Sequence, residues 1–279
     1  MFAARPPAVA GAFYPADPTE LRESVDRLLA VAEHAVTEAP KALVVPHAGY
    51  VYSGPIAATA YASLGRAAER ITRVVLIGPC HRVAVRGIAV PDCLVLQTPL
   101  GEVEVDQGAV AHVEHLVVHH TGAHAKEHSI EVQLPFLQRA LGHRFRVVPL
   151  AVGDCDPEDV AEVIEALWGG PETLIVISSD LSHYLPYAVA RGVDGLTAQR
   201  VLELSPNVDH DQACGATPLN GLLIVARHKR LHPELFDLRS SGDTAGPREG
   251  VVGYGAFGFF ERPSREDEGG RSHAERPAS

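Results

Sequence analysis

Val44-Val45-Pro46-His47-Ala48-Gly49-Tyr50 closes a short apolar run with a histidine, and two other stretches repeat the arrangement. They are Leu76-Ile77-Gly78-Pro79-Cys80-His81-Arg82 and Val176-Ile177-Ser178-Ser179-Asp180-Leu181-Ser182-His183-Tyr184. The runs Ala42 to Val45, Val74 to Ile77 and Thr173 to Ile177 read as buried strands. In an open α/β sheet the crevice beyond the strand ends is where ligands bind. Three strands aimed there would bring His47, His81, Asp180 and His183 to one point, the composition of a metal site or an acid/base site.

Outward from these tips, strand-like and helix-like segments alternate with no low-complexity linker between them. This predicts a single α/β domain over residues 1–260, with a central, mostly parallel sheet flanked by helices. Asp17-Pro18-Thr19-Glu20 and Asp156-Pro157-Glu158-Asp159 each read as a cap, a first-turn proline and an acidic first turn. The first precedes the apolar stripe Leu21, Val25, Leu28, Leu29 and Ala32; the second precedes a helix over 160–168. Residues 1–16 read as irregular. Ser53-Gly54-Pro55 opens a helix of small residues over 56–64 able to pack closely on the sheet. Thr98-Pro99-Leu100-Gly101 separates two short apolar stretches, as in a hairpin or edge strands. Helices are expected over 107–118 and 129–141, the latter with Pro135 either kinking it or marking its first turn, and further helices near 194–204 and 217–227. Strands are expected over 146–152, near 234–238 and over 251–260. From Glu261 the chain is charged and lacks large apolar residues, which predicts a disordered tail over 261–279.

Composition narrows the function. The chain has 279 residues, 46% hydrophobic and 21% charged, with a formal net charge of −11. No run of Lys and Arg offers a footprint for a phosphate backbone, so no nucleic-acid partner is expected. No stretch has membrane-spanning length, and the first residues lack the apolar core of a secretion signal. Cys80, Cys93, Cys155 and Cys214 are widely spaced, which is not a disulfide framework and points to a reducing, cytoplasmic setting.

The candidate site residues carry competing readings. Gly49 beside His47 suits close backbone approach. Gly78-Pro79 turns the chain out of its strand, so that His81 faces the crevice, with Cys80 as a small buried neighbour. Asp180 and His183, three apart just past a strand, can share a pocket, or Asp180 can cap the next turn. Glu127-His128-Ser129-Ile130-Glu131 is dense in catalytic residue types; read as a helix start, Glu127 and Glu131 share a face, either catalytic or merely solvated. Cys214 stands just before a helix and could be a metal ligand or a nucleophile. His112, His115, His119, His120 and His124 form a histidine-rich stretch read as a solvated face. Ser241-Gly242-Asp243-Thr244 is a polar turn that rims the pocket or only bends the chain. Ser178 and Ser179 lack the Gly-x-Ser-x-Gly elbow of a serine hydrolase.

Pro46-His47-Ala48-Gly49-Tyr50, Gly78-Pro79-x-His81, Thr98-Pro99-Leu100, Glu127-His128-Ser129-Ile130-Glu131, Ser178-Ser179-Asp180-x-x-His183 and Cys214-Gly215-x-x-Pro218 stand in the order typical of the Memo family. The chain resembles that family over nearly its whole length less the tail; prokaryotic members are also called AmmeMemoRadiSam system protein B. The resemblance implies the α/β sandwich of class III extradiol dioxygenases. It implies metal ligands at His47, His81 and Cys214, with His183 as acid/base histidine and Asp180 and His128 lining the pocket. Cysteine replaces the glutamate those dioxygenases use, and a thiolate is softer and oxidisable, suited to iron or copper. Three functions follow as expectations: a metal-dependent redox protein or oxidoreductase using Fe(II) or copper, a non-catalytic module binding a small molecule or peptide in the same pocket, and action beside a radical S-adenosylmethionine partner.

Overall fold

The computed structural model describes residues 2–32, 39–142 and 145–261. The elements in chain order begin with β1 (Phe2–Arg5), α1 (Pro18–Val31), β2 (Ala42–Val45), α2 (Tyr50–Ala62), β3 (Arg73–Pro79), β4 (Ile88–Val90), β5 (Cys93–Thr98) and β6 (Gly101–Val105). There follow α3 (Gln107–His112), β7 (Val118–His119), α4 (Thr121–Ala125), α5 (Leu134–Leu141), β8 (Arg146–Val152) and α6 (Pro157–Ala166). The last are β9 (Thr173–Ser178), β10 (His183–Leu185), α7 (Tyr187–Leu202), α8 (Ala216–His228), β11 (His232–Ser240) and β12 (Val251–Phe260).

The strands form one mixed sheet in the order β1-β5-β6-β8-β3-β9-β2-β12-β10, with β11 on β12, β4 on β8 and β7 on β4. Its centre, β6-β8-β3-β9-β2, is parallel throughout. β2 and β9 are buried along their whole length, and β3 and β8 at all but their first residue. A parallel sheet is covered on both faces, which is why these strands are unbroken apolar runs rather than alternating ones. The predicted α/β class with a largely parallel core sheet flanked by helices is therefore observed. The strands carrying the three signature tips are neighbours, β3-β9-β2, with Val45 opposite Ser178 and Ile77 opposite Ile177. Their ends lie level, so the segments after them leave the sheet at one place.

Local signals account for much of the rest. Asp17 accepts from the backbone N–H groups of Thr19 and Glu20. Asp156 and Asp159 form a reciprocal capping box. β5 and β6 form the antiparallel hairpin, and Pro135 lies in the first turn of α5.

Five expectations are corrected. Residues 2–5 are a strand, paired in parallel with β5, because a distant partner decides what the local pattern leaves open. α2 starts at Tyr50, so Pro55 lies inside it; α1 packs against it closely enough that a Cβ on Gly54 would sit 3.0 Å from Leu28 Cδ1. The helix expected over 107–118 ends at His112, and Val118–His119 joins β4 instead. The helix expected from Ser129 is first a 3-10 turn, Glu131–Gln133. α7 also begins earlier than its expected position, at Tyr187. The tail expected to be disordered lies, after Glu261, outside the described residues. No helix among them is long and apolar enough to cross a membrane.

Candidate metal centre

Three imidazoles meet beyond the tips of β2 and β3. His47 and His81 have ring centroids 5.3 Å apart. His128 lies 5.4 Å from His47 and 4.7 Å from His81, nearly stacked on the latter. One nitrogen from each of the three lies within 4.8 Å of the others, the grouping of potential metal ligands that the described residues present. His128 comes from the turn after α4, pressed against β3. Gly78 permits the approach: a Cβ there would stand 2.8 Å from Ser129 Oγ. Gly49, expected to serve close approach, has ordinary room, with its nearest neighbour at 3.5 Å.

Hydrogen bonds settle which nitrogen of His47 is available. Its Nδ1 lies 2.9 Å from Ser178 Oγ. The Ser178 hydroxyl donates to the Ser129 carbonyl at 2.6 Å and accepts from Gln133 Nε2 at 2.8 Å. Gln133 is oriented in turn by Tyr61, whose hydroxyl donates to its Oε1 at 2.8 Å. With its one proton committed, Ser178 can only accept from His47, so Nδ1 carries the hydrogen and Nε2 the lone pair. His81 Nδ1 donates to Glu127 Oε1 at 2.9 Å. In the neutral ring this places the lone pair on Nε2.

Cys214 stands beside this trio, with Sγ 3.3 Å from His47 Nε2. Gly215 lets its segment press on the β9 tip, since a Cβ there would meet Ser179 Cβ at 2.7 Å. Asp180 joins the loops: its Oδ1 accepts from the His47 backbone N–H at 2.7 Å, and its own N–H donates to Cys214 Sγ at 3.3 Å. Asp180 therefore ties the β2 tip to the β9 tip rather than only capping its own turn. His183 Nδ1 donates to the Leu181 carbonyl at 2.8 Å, which leaves its Nε2 as a basic nitrogen.

Burial sets the charge states. It lowers the pKa of His47 well below the usual histidine value, with the neighbouring His81 and His128 adding to the effect. Burial likewise lowers His128 to about 4. Both rings are neutral near pH 7, as metal ligands must be. Burial raises Asp180 to about 6 despite the His47 N–H and nearby His183. It pushes the Cys214 thiol up to about 12, with the Asp180 carboxylate adding to the shift.

The Glu127 to Glu131 cluster is not a helix face. Glu127 is 1% exposed and Glu131 fully buried, and they turn apart. Glu127 faces the histidines. Glu131 accepts from the Arg5 guanidinium, the Ala8 and Val9 backbone N–H groups and the Tyr14 hydroxyl. Arg5 also donates to the carbonyls of His124 and Glu127. The N-terminal segment thus becomes a wall of the pocket, with the Phe13 ring 4.9 Å from that of His128. Gln133, Tyr61 and Arg5 carried no signal in the sequence, since their partners are distant in the chain. In the histidine-rich stretch, His119 pairs with Asp92 and Glu114 at the surface, while His124 is buried and bonded to the Ala89 carbonyl.

A family model described as Memo-like protein matches residues 5–257. The chain belongs to the Memo family. A MEMO1 family protein of Ignicoccus hospitalis is 36% identical over 91% of this chain and 98% of its own length. Those of Sulfolobus acidocaldarius and Aquifex aeolicus are 33% and 35% identical, each covering 90% of this chain. The pocket of this Memo family chain therefore lies wholly within the matched region.

The donor set fits a transition metal. Neutral imidazoles suit iron, copper and zinc, and a thiol beside them adds a soft donor. His128 Nδ1 is buried and makes no hydrogen bond, although it lies 3.3 Å from Glu127 Oε1. A polar atom left in that condition is costly unless another partner takes it up.

Proposed function

We propose that this Memo family protein is a metal-dependent redox protein or oxidoreductase whose pocket binds non-haem iron, with copper as the other metal its donors suit. The observation that carries the reading is the convergence of His47, His81 and His128, two of them with Nδ1 hydrogen-bonded to Ser178 or Glu127. Cys214, beside His47, is the further donor that brings soft and oxidisable character. When bound, the metal supplies one-electron chemistry and Lewis acidity.

The chain's own groups orient and move protons. His183, with Nδ1 held by the Leu181 carbonyl, can accept a proton at Nε2 from a ligand entering the pocket. Asp180 holds the His47 backbone and the Cys214 segment in register. Phe13 packs its ring against that of His128 on one side of the pocket.

The test is redox cycling. Protein loaded anaerobically with Fe(II) is treated with ferricyanide and then dithionite while electron paramagnetic resonance follows the iron. The expected result is reversible one-electron change in wild type and none in His47→Ala. Bound iron that cannot be cycled would refute the redox role and favour a pocket used for binding.

A further inference from the structure

Glu127 engages two of the three histidines at once. Its Oε2 accepts from the His81 backbone N–H at 2.5 Å. Its Oε1 accepts from His81 Nδ1 and from the backbone N–H groups of His128 and Ser129, each at 2.9 Å. Four donors therefore converge on one carboxylate that is 1% exposed. An ionised carboxylate can only accept, so the ring nitrogen facing it must bear the hydrogen.

We propose that Glu127 is the positioning residue of the pocket: it locks His81 as the Nδ1–H tautomer, with the Nε2 lone pair toward His47 and His128, and clamps the turn that carries His128. The purpose of the lock rests on the metal-binding reading, but the lock itself belongs to the metal-free protein. Outer groups of this kind set the tautomer and ring orientation of ligating histidines. A glutamine at this position cannot substitute. Its amide has one acceptor oxygen, so whichever way it turns, an NH2 group faces an N–H that Glu127 now accepts. Either the His81 backbone loses its partner, or the His81 ring and the turn at 128–129 lose theirs.

The experiment measures the tautomer directly. Metal-free wild type and Glu127→Gln are labelled with 15N-histidine and compared by NMR at pH 8, with the His81 signals identified by their absence in His81→Gln. Zn(II), a redox-inert probe, is then titrated into both proteins. The expected wild-type signature is a protonated Nδ1 and an unprotonated Nε2 at His81. In Glu127→Gln the signal moves toward the opposite tautomer, and the Zn(II) Kd rises about 10- to 100-fold. A folded Glu127→Gln protein with either quantity unchanged would overturn the proposal. If that variant does not fold, wild type alone decides: an Nε2–H tautomer at His81 overturns the lock. Wild type that shows the lock but binds no Zn(II) leaves the positioning role standing and counts against the metal reading instead.

Discussion

The sulfur of Cys214 lies 3.3 Å from Nε2 of His47, across 167 positions of sequence. Since His47 Nε2 bears the lone pair, the metal-free pair is a thiol donating to an imidazole. Burial and the Asp180 carboxylate hold that thiol protonated, its pKa pushed up to about 12. Ligation by Cys214 requires the thiolate, so binding must expel the proton. Metal titration by calorimetry at pH 7.5, in buffers of different ionisation enthalpy, is expected to release about one proton more from wild type than from Cys214→Ser. Equal proton release would show that Cys214 stays outside the metal's ligands.

Ser178 is predicted to hold His47 more than to act as a nucleophile. Ser178→Ala removes the acceptor of His47 Nδ1 and of Gln133 Nε2, and the donor to the Ser129 carbonyl. Leaving buried polar groups unpaired costs about 1–3 kcal/mol. Denaturant unfolding should show a loss in that range, with weaker Zn(II) binding. Unchanged stability and affinity would contradict the assigned orientation of His47.

The buried pair of Arg5 and Glu131 should be sensitive to removal of the arginine. Arg5→Met strands a carboxylate with no exposure and releases the carbonyls of His124 and Glu127. Breaking such a pair costs about 3–5 kcal/mol. Chemical denaturation of Arg5→Met forms the check, and a loss under about 1 kcal/mol would contradict the assigned role of the pair.

Acid sensitivity follows from His124. Burial lowers its pKa to about 4, with Arg5 adding to the effect against the Ala89 carbonyl and Glu127. The unfolded chain therefore takes up the proton first as pH falls. The histidine's contribution is fully present above pH ~6.5 and is lost progressively toward pH ~4, amounting to about 3 kcal/mol. Unfolding free energies between pH 7.5 and 4.5 should fall less steeply in His124→Gln than in wild type, whatever its absolute stability. Parallel slopes would rule the contribution out.

What could be read from sequence was what local chemistry controls. The tips of β2, β3 and β9 were legible because each apolar run is followed within a few residues by a histidine or carboxylate, although β3 runs on through Gly78 and Pro79, paired with β8, where a turn out of the strand was expected. Asp17 and Asp156 were legible as caps for the same reason. What stayed hidden was decided by partners far along the chain. Phe2–Arg5 is a strand because β5 and Glu131 receive it. Val118–His119 leaves its helix because β4 offers a ladder. Glu127 and Glu131 look equivalent in sequence, yet one serves histidines from two segments and the other anchors the N-terminal wall. His128 was legible as a pocket residue; its place in the trio depends on how closely Ser129 approaches Gly78. No sequence pattern states which ring nitrogen is free, since this follows from the hydroxyl of Ser178 and the carboxylate of Glu127.

Metal content per chain, with oxidation state, tests the metal centre most directly, in protein purified anaerobically as wild type and as the His47→Ala, His81→Ala double variant. About one iron or copper is expected per folded wild-type chain, from the convergent donor set among the described residues, and none above background in the variant. A folded wild type holding no more metal than the variant would contradict the metal-binding reading.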